Sequence, residues 1–169
     1  RKKMSKSKGN VVTPMDLFDQ YGTDAVRYWS ASGRPGVDTA YSEDQMKVGR
    51  KLANKLLNVT KFVLTFPAAD ASIPLAEAVT DPIDLSMLAK LDEVIAAATA
   101  GFDAFDYARA LDRTESFFWW FCDNYVELVK GRAYNSHGLE AANSALRALR
   151  EALGSVQRLF APMIPFATE

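Results

Sequence analysis

Histidine and cysteine are almost missing from the sequence, which holds one of each in 169 residues, His137 and Cys122. A single cysteine cannot close an internal disulfide, and one cysteine with one histidine cannot supply the ligands of an ordinary structural zinc site. No metal is expected. No apolar run approaches the roughly 20 residues that cross a bilayer as a helix, and the N-terminus lacks the charged, apolar, small-residue order of a secretory signal. No membrane partner is expected, and the cytoplasm is the expected compartment. A surplus of positive charge is missing too, because 20 Lys and Arg face 21 Asp and Glu for a net charge of −1. Composition therefore gives no sign of a nucleic-acid binder, whose domains usually carry a basic excess.

The average conceals an asymmetry. Arg1, Lys2, Lys3, Lys6 and Lys8 put five cations into the first eight residues with no acid among them. Such a cluster attracts a polyanion or stays solvated. The chain opens on Arg1 rather than an initiator methionine and stops at Pro165-Phe166-Ala167-Thr168-Glu169 without an evident cap. Both ends read as cut, so a piece of a longer chain is expected. Its hydrophobic content, 49%, suffices for one main core with a small appendage.

Helix signals dominate the rest of the chain. After a basic loop over residues 1–12, Thr13 as N-cap, Pro14 and Asp16 start a short helix that Gly22 ends. Thr23 is predicted to cap a second helix, which Gly33-Arg34-Pro35-Gly36 terminates. Val37 to Tyr41 is predicted as a brief strand. Ser42 with Gln45 three residues on is a capping box opening a helix to about Phe66, on which Leu52, Leu56, Val59, Val63 and Phe66 form one apolar stripe. Residues 67–83, with three prolines, read as a linker without a packed element. Further helices are predicted from about Leu85 to Ala100 and from Phe105 to about Arg132, then after the turn Asn135-Ser136-His137-Gly138 until Pro162. The expected fold is all-α: a small helical connector over residues 1–41, then an antiparallel helical bundle over 42–169.

The loop has a chemistry of its own. Two ammonium groups three residues apart, Lys3 and Lys6, with Ser5, Ser7 and Gly9 beside them, can fold over a triphosphate and offer point charges with backbone N–H donors. Donors so placed would stabilise charge developing on departing pyrophosphate. A solvated basic tail is the plainer reading of a lysine-rich octamer. The order of residues decides between them. Lys3-Met4-Ser5-Lys6-Ser7-Lys8-Gly9-Asn10-Val11-Val12, then Pro14, then Tyr21-Gly22-Thr23-Asp24-Ala25-Val26-Arg27, resembles the second signature of class I aminoacyl-tRNA synthetases with its downstream helix. Only Thr13 and Thr23 depart from the commonest wording. Pro35-Gly36-Val37-Asp38, Ala53-Asn54-Lys55-Leu56-Leu57-Asn58, Lys61-Phe62, Phe117 to Asp123 and Ala161 to Phe166 resemble valyl-tRNA synthetases more than isoleucyl, leucyl or methionyl ones, isoleucyl being the runner-up.

That resemblance implies a division of labour. Lys3, Met4, Ser5, Lys6 and Ser7 would form the ATP loop, with Lys6 the principal contact and Lys3 assisting, both catalytic. The connector would be the stem-contact fold and the bundle the anticodon-binding domain, making tRNA, valine tRNA in particular, the partner. ATP and valine would be substrates of the parent enzyme with Mg2+, while this segment alone would bind no cofactor and be inactive.

An RNA-reading face needs cations and an aromatic outside the core. Lys55, Asn58 and Phe62 share helical spacings of three and four, with Lys51 and Lys61 close by. A base could stack on Phe62, Asn58 could bond a base edge, and Lys55 and Lys61 could hold phosphates. Equally, Phe62 could be the flank of a wide apolar face. Trp119 and Trp120 lie where every side of the helix is apolar, so burial is expected over base contact. Lys130 and Arg132 could touch an RNA backbone or complement a helix dipole, the dipole being preferred, while His137 reads as a solvated turn residue and Cys122 as core. Asp103, Asp106, Asp112 and Glu115 have neither base nor nucleophile beside them and take no catalytic role. The competing class of function is a helical interaction module with a basic tail.

Overall fold

The computed structural model describes residues 4–67 and 72–169, and among them the regular structure is helical, without a strand. The connector comprises α1 (Pro14–Tyr21) and α2 (Thr23–Ala31). Pro14 takes the first helical position of α1, where its missing N–H costs nothing. Thr23 is not the cap predicted for α2. Gly22 occupies the cap position at φ 89, a backbone state that glycine alone adopts without strain, and Thr23 begins the helix proper.

The strand predicted for Val37–Tyr41 does not form. Gly36 turns the chain at φ 79, and the Trp29 indole N–H donates to the Ala40 carbonyl at 3.2 Å, so a side chain of α2 holds the backbone there. A strand also needs a partner, and none exists among the described residues.

The long helix α3 (Glu43–Leu64) starts as predicted, with the Ser42 hydroxyl accepting the Gln45 N–H at 3.3 Å. Its stripe of Leu52, Leu56, Val59 and Val63 is buried, and Phe66 follows in the turn beyond it. The linker is more structured than its composition suggests. It contains α4 (Leu75–Ala78), and Val79 is buried against the main core. Next comes α5 (Pro82–Asp103), which begins three residues before Leu85 because Asp81 caps it by accepting the Ile83 N–H at 2.8 Å. It also runs past Gly101, where a Cβ would sit 3.2 Å from the Ala110 nitrogen. That glycine is a site of close helix crossing rather than a stop.

The helix expected over Phe105–Arg132 is three pieces: α6 (Tyr107–Trp120), a π-helical turn (Phe121–Tyr125) and α7 (Val126–Ala133). The cause is the spacing of its core residues. Phe117, Phe121, Tyr125, Val129 and Ala133 are all buried and all four apart. At 3.6 residues per turn such a series drifts by about 40° per repeat, or about 160° over its length. A turn widened to i→i+5 bonding takes up part of that drift and keeps the row facing the core. Finally α8 (Leu139–Phe160) and α9 (Pro165–Thr168) complete the bundle. The main core joins α3, α5, α6, α7 and α8, while Leu17, Tyr21, Ala25, Val26 and Met46 form a smaller one under the connector.

Candidate nucleotide loop and RNA-binding face

The basic loop is braced by its own residues. Lys6–Lys8 form one 3-10 turn, closed by Lys8 N–H on the Ser5 carbonyl at 3.0 Å and Gly9 N–H on the Lys6 carbonyl at 3.2 Å. Gly9 supplies the left-handed backbone at φ 63 that ends the turn. The Asn10 side-chain oxygen accepts the Ser5 N–H at 2.8 Å, and the Ser5 and Ser7 hydroxyls lie 2.7 Å apart. Met4, Lys6, Ser7 and Lys8 are exposed on this frame. Lys3 falls outside the described residues. A turn of this kind presents cationic and hydroxyl groups to solvent, a donor set suited to phosphate oxygens. Its residues are poor ligands for a metal, and no group of three or more His, Cys, Asp or Glu that could hold one occurs among the described residues.

The second candidate region lies along the outer side of α3. Asn58 and Lys61 are exposed, as is Lys51. Lys55 is half-buried and bonded to Asp123 in the π-helical turn at 3.1 Å, so this predicted phosphate contact is already engaged by a carboxylate. Phe62 is half-buried, between the two readings that its sequence position allows. It meets Phe66 edge-on at 5.1 Å between ring centroids and Tyr134 at 6.4 Å, while Phe66 and Tyr134 lie 5.0 Å apart. Lys130, which also pairs with Glu127, stands 5.7 Å from the Phe62 ring.

Sequence reasoning misses Tyr134. At 63% exposure it is the outermost ring of this aromatic trio, carried on the turn after α7. Its sequence signal is weak, since a tyrosine beside Asn135, Ser136 and His137 reads as an ordinary polar turn. Only the fold brings it to Phe62.

Other residues take different places from those expected. Arg132 lies in the last turn of α7, as the dipole reading requires, and its guanidinium has a further task. It forks onto the fully buried Asp84 with two bonds of 2.7 Å and reaches Asp81 at 3.1 Å. Tyr125 and Ser144 donate to the same Asp84 carboxylate at 2.6 and 2.7 Å. Burial, with the bond to Asp84, pushes the Tyr125 hydroxyl well above its ordinary pKa. Trp119 and Trp120 pack against the core yet stay half-exposed, the first donating to Glu115 at 3.0 Å and the second covered by Lys90 at 4.0 Å. Burial raises the Cys122 thiol to about 12, which leaves it a core residue without nucleophilic character. His137 is exposed, as expected. Glu115 accepts from Tyr28 and Trp119, and Asp106 caps α6, so both carboxylates are structural.

Residues 84–169 match the family model described as the anticodon-binding domain of tRNA ligase, and residues 1–42 match the class I tRNA synthetase model covering the I, L, M and V enzymes. Curated relatives are named valine–tRNA ligase. The one from Salinispora arenicola is 60% identical over all of this chain and 20% of its own length, that of Thermobifida fusca is 58% identical over all of this chain and 19% of its own, and that of Bifidobacterium longum is 45% identical over 99% and 20%. The chain thus spans about a fifth of these relatives. Among solved structures, a LeuRS–tRNA–LeuAMS ternary complex from Agrobacterium radiobacter K84 superimposes with a TM-score of 0.69 over 99% of this chain and 20% of that one, at 20% identity, a likeness of fold. The chain belongs to the class I tRNA synthetase family and carries its anticodon-binding domain.

Proposed function

We propose that this chain is the tRNA-holding, anticodon-reading part of a cytoplasmic valine–tRNA ligase, which joins valine to its tRNA through an adenylate made from ATP. The observation that carries this reading is identity of 45–60% to valine–tRNA ligases over essentially every residue. Residues 1–41 supply the ATP loop and connector, and residues 42–169 the bundle. In the loop, Lys6 meets the ATP phosphates, Lys3 assists, and Met4, Ser5 and Ser7 shape the turn. Mg2+ is held by the phosphates of ATP and not by the loop, whose groups are cationic or hydroxyl. The chain by itself is inactive in valine activation, since a phosphate-binding loop alone holds no amino acid.

On α3, Lys61 and Lys55 take backbone phosphates, Asn58 bonds a base edge, and Phe62 with Tyr134 offers a ring surface to an unpaired base. Lys55 exchanges Asp123 for phosphate at little cost, because a pair whose charged ends both reach solvent is worth at most about 1 kcal/mol. Titration of the chain with valine tRNA and with a transcript altered in its anticodon tests the reading. A clear preference for the unaltered tRNA is expected, and equal weak binding that modest salt abolishes would sink it. For the loop, Lys6→Ala in the full enzyme lowers valine-dependent pyrophosphate exchange and leaves tRNA affinity close to that of the parent. An unchanged exchange rate refutes the assignment.

A further inference from the structure

The helix α2 carries Asp24 and Arg27, and the chain end carries Pro162 to Ala167. In the fold these two segments grip one another. The Asp24 carboxylate, 9% exposed, accepts the Ala167 N–H at 2.7 Å and the Phe166 N–H at 3.3 Å, capping the start of α9. One turn on, the Arg27 guanidinium donates to the Pro162 carbonyl at 2.8 Å and the Met163 carbonyl at 3.1 Å, the corner between α8 and α9. Carboxylate takes donors and guanidinium takes acceptors, so each end of the corner receives the charge it prefers. One turn after Asp24 on α2, Tyr28 lies so close to α3 that a Cβ on Gly49 would be 2.7 Å from its own, and its hydroxyl donates to Glu115 on α6 at 2.7 Å. The connector is therefore fastened to three helices of the bundle at once.

We propose that Asp24 and Arg27 are positioning residues, a latch that holds the connector and the phosphate loop preceding it in fixed orientation to the RNA face. The inference rests on the tRNA reading above. From its contact with the connector at Met46 and Gly49, α3 runs towards Phe62, and its 22 residues span about 33 Å. An RNA gripped at Phe62 has its reacting end near the loop, and the grip on the bundle supplies the affinity. A stiff link between the two holds the reacting end at a high effective concentration beside the loop, and a loose link forfeits that without weakening the grip. Neither residue touches the reacting atoms. Loosening the latch leaves the loop on its connector and the RNA face on its bundle, and lets the one rock against the other about the remaining Tyr28 contacts.

The test splits the half-reactions. In the full valine–tRNA ligase, Arg27→Ala, Asp24→Asn and Ala167→Pro, the last deleting an N–H that Asp24 accepts, should each keep valine-dependent pyrophosphate exchange and tRNA Kd within about twofold. Aminoacylation kcat/KM for tRNA should fall about tenfold, with Arg27→Lys intermediate. In the 169-residue chain with Cys122→Ala, spin labels on cysteines replacing the exposed Met15 and Leu128 should report one narrow distance, broadened by Arg27→Ala. Unchanged aminoacylation or an unchanged distance width in a variant that melts cooperatively overturns the latch and leaves the tRNA reading standing. A parallel fall of exchange and aminoacylation also overturns it, as general destabilisation. Loss of tRNA binding by the unmutated chain removes both.

Discussion

Asp84 is fully buried and is the hub for Arg132, Tyr125 and Ser144. A buried ion pair adds little net stability, but removing one partner strands the other charge. Asp84→Ala should therefore cost about 3–5 kcal/mol by urea denaturation, whereas replacing Asp84 and Arg132 together by apolar residues of similar volume should cost much less. Equal losses for the single and double variants would show that the pair itself, and not the stranded arginine, sets the cost. Titration gives a second residue-scale expectation. Burial raises the Cys122 thiol to about 12, and burial also raises Tyr28 and Tyr125. An acid whose pKa is higher in the fold favours the fold fully below its unfolded value, about 8.5 for cysteine, and loses that contribution as pH climbs to the folded value. The urea midpoint should consequently fall between pH 9 and pH 12, and the Cys122 thiol should react with disulfide reagents at pH 8 only as fast as the chain opens. A flat midpoint over that range would contradict the shifts.

Helix pairs respond to single methyl groups in opposite directions, according to what faces them. Alanine is a better helix former than glycine by about 0.8–1.0 kcal/mol, so Gly154→Ala, where the nearest outside atom is the mobile end of Arg158 at 4.0 Å, should raise the melting temperature. At Gly49 the added methyl meets Tyr28 at 2.7 Å, and the overpacking cost of roughly 1–3 kcal/mol should outweigh the gain and lower it. The same rule explains how far the elements are legible in the sequence. Start and stop signals that act locally, Ser42 with Gln45 or Pro14, place α1 and α3 correctly. Gly101 imitates a stop because its reason lies in α6, and α4 with Val79 escapes notice because a proline-rich stretch packs through few residues. The π-helical turn is written in the four-residue spacing of Phe117 to Ala133, a pattern visible in the sequence but meaningful only once the row is known to face one core.

At the scale of the whole molecule, a net charge of −1 means that any grip on RNA must come from local clusters. The basic loop and the face around Lys51, Lys55, Lys61 and Lys130 are two such clusters. The loop is legible because its chemistry is contiguous in sequence. The face is half legible: α3 alone offers Lys55, Asn58, Lys61 and Phe62, whereas Tyr134, Lys130 and the Asp123 that engages Lys55 lie about 70 residues on. Periodicity on one helix cannot reveal what a second helix brings to it. The two clusters predict different salt behaviour. Each lysine that neutralises a phosphate of a single strand adds about −0.7 to the slope of log K against log salt. If the α3 face holds the RNA, Lys55→Ala and Lys61→Ala should each flatten that slope by about 0.7 and weaken binding, while Lys6→Ala and Lys8→Ala leave it close to its original value. A slope that responds only to the loop lysines would identify the interaction as that of a basic tail and take tRNA off the face of α3.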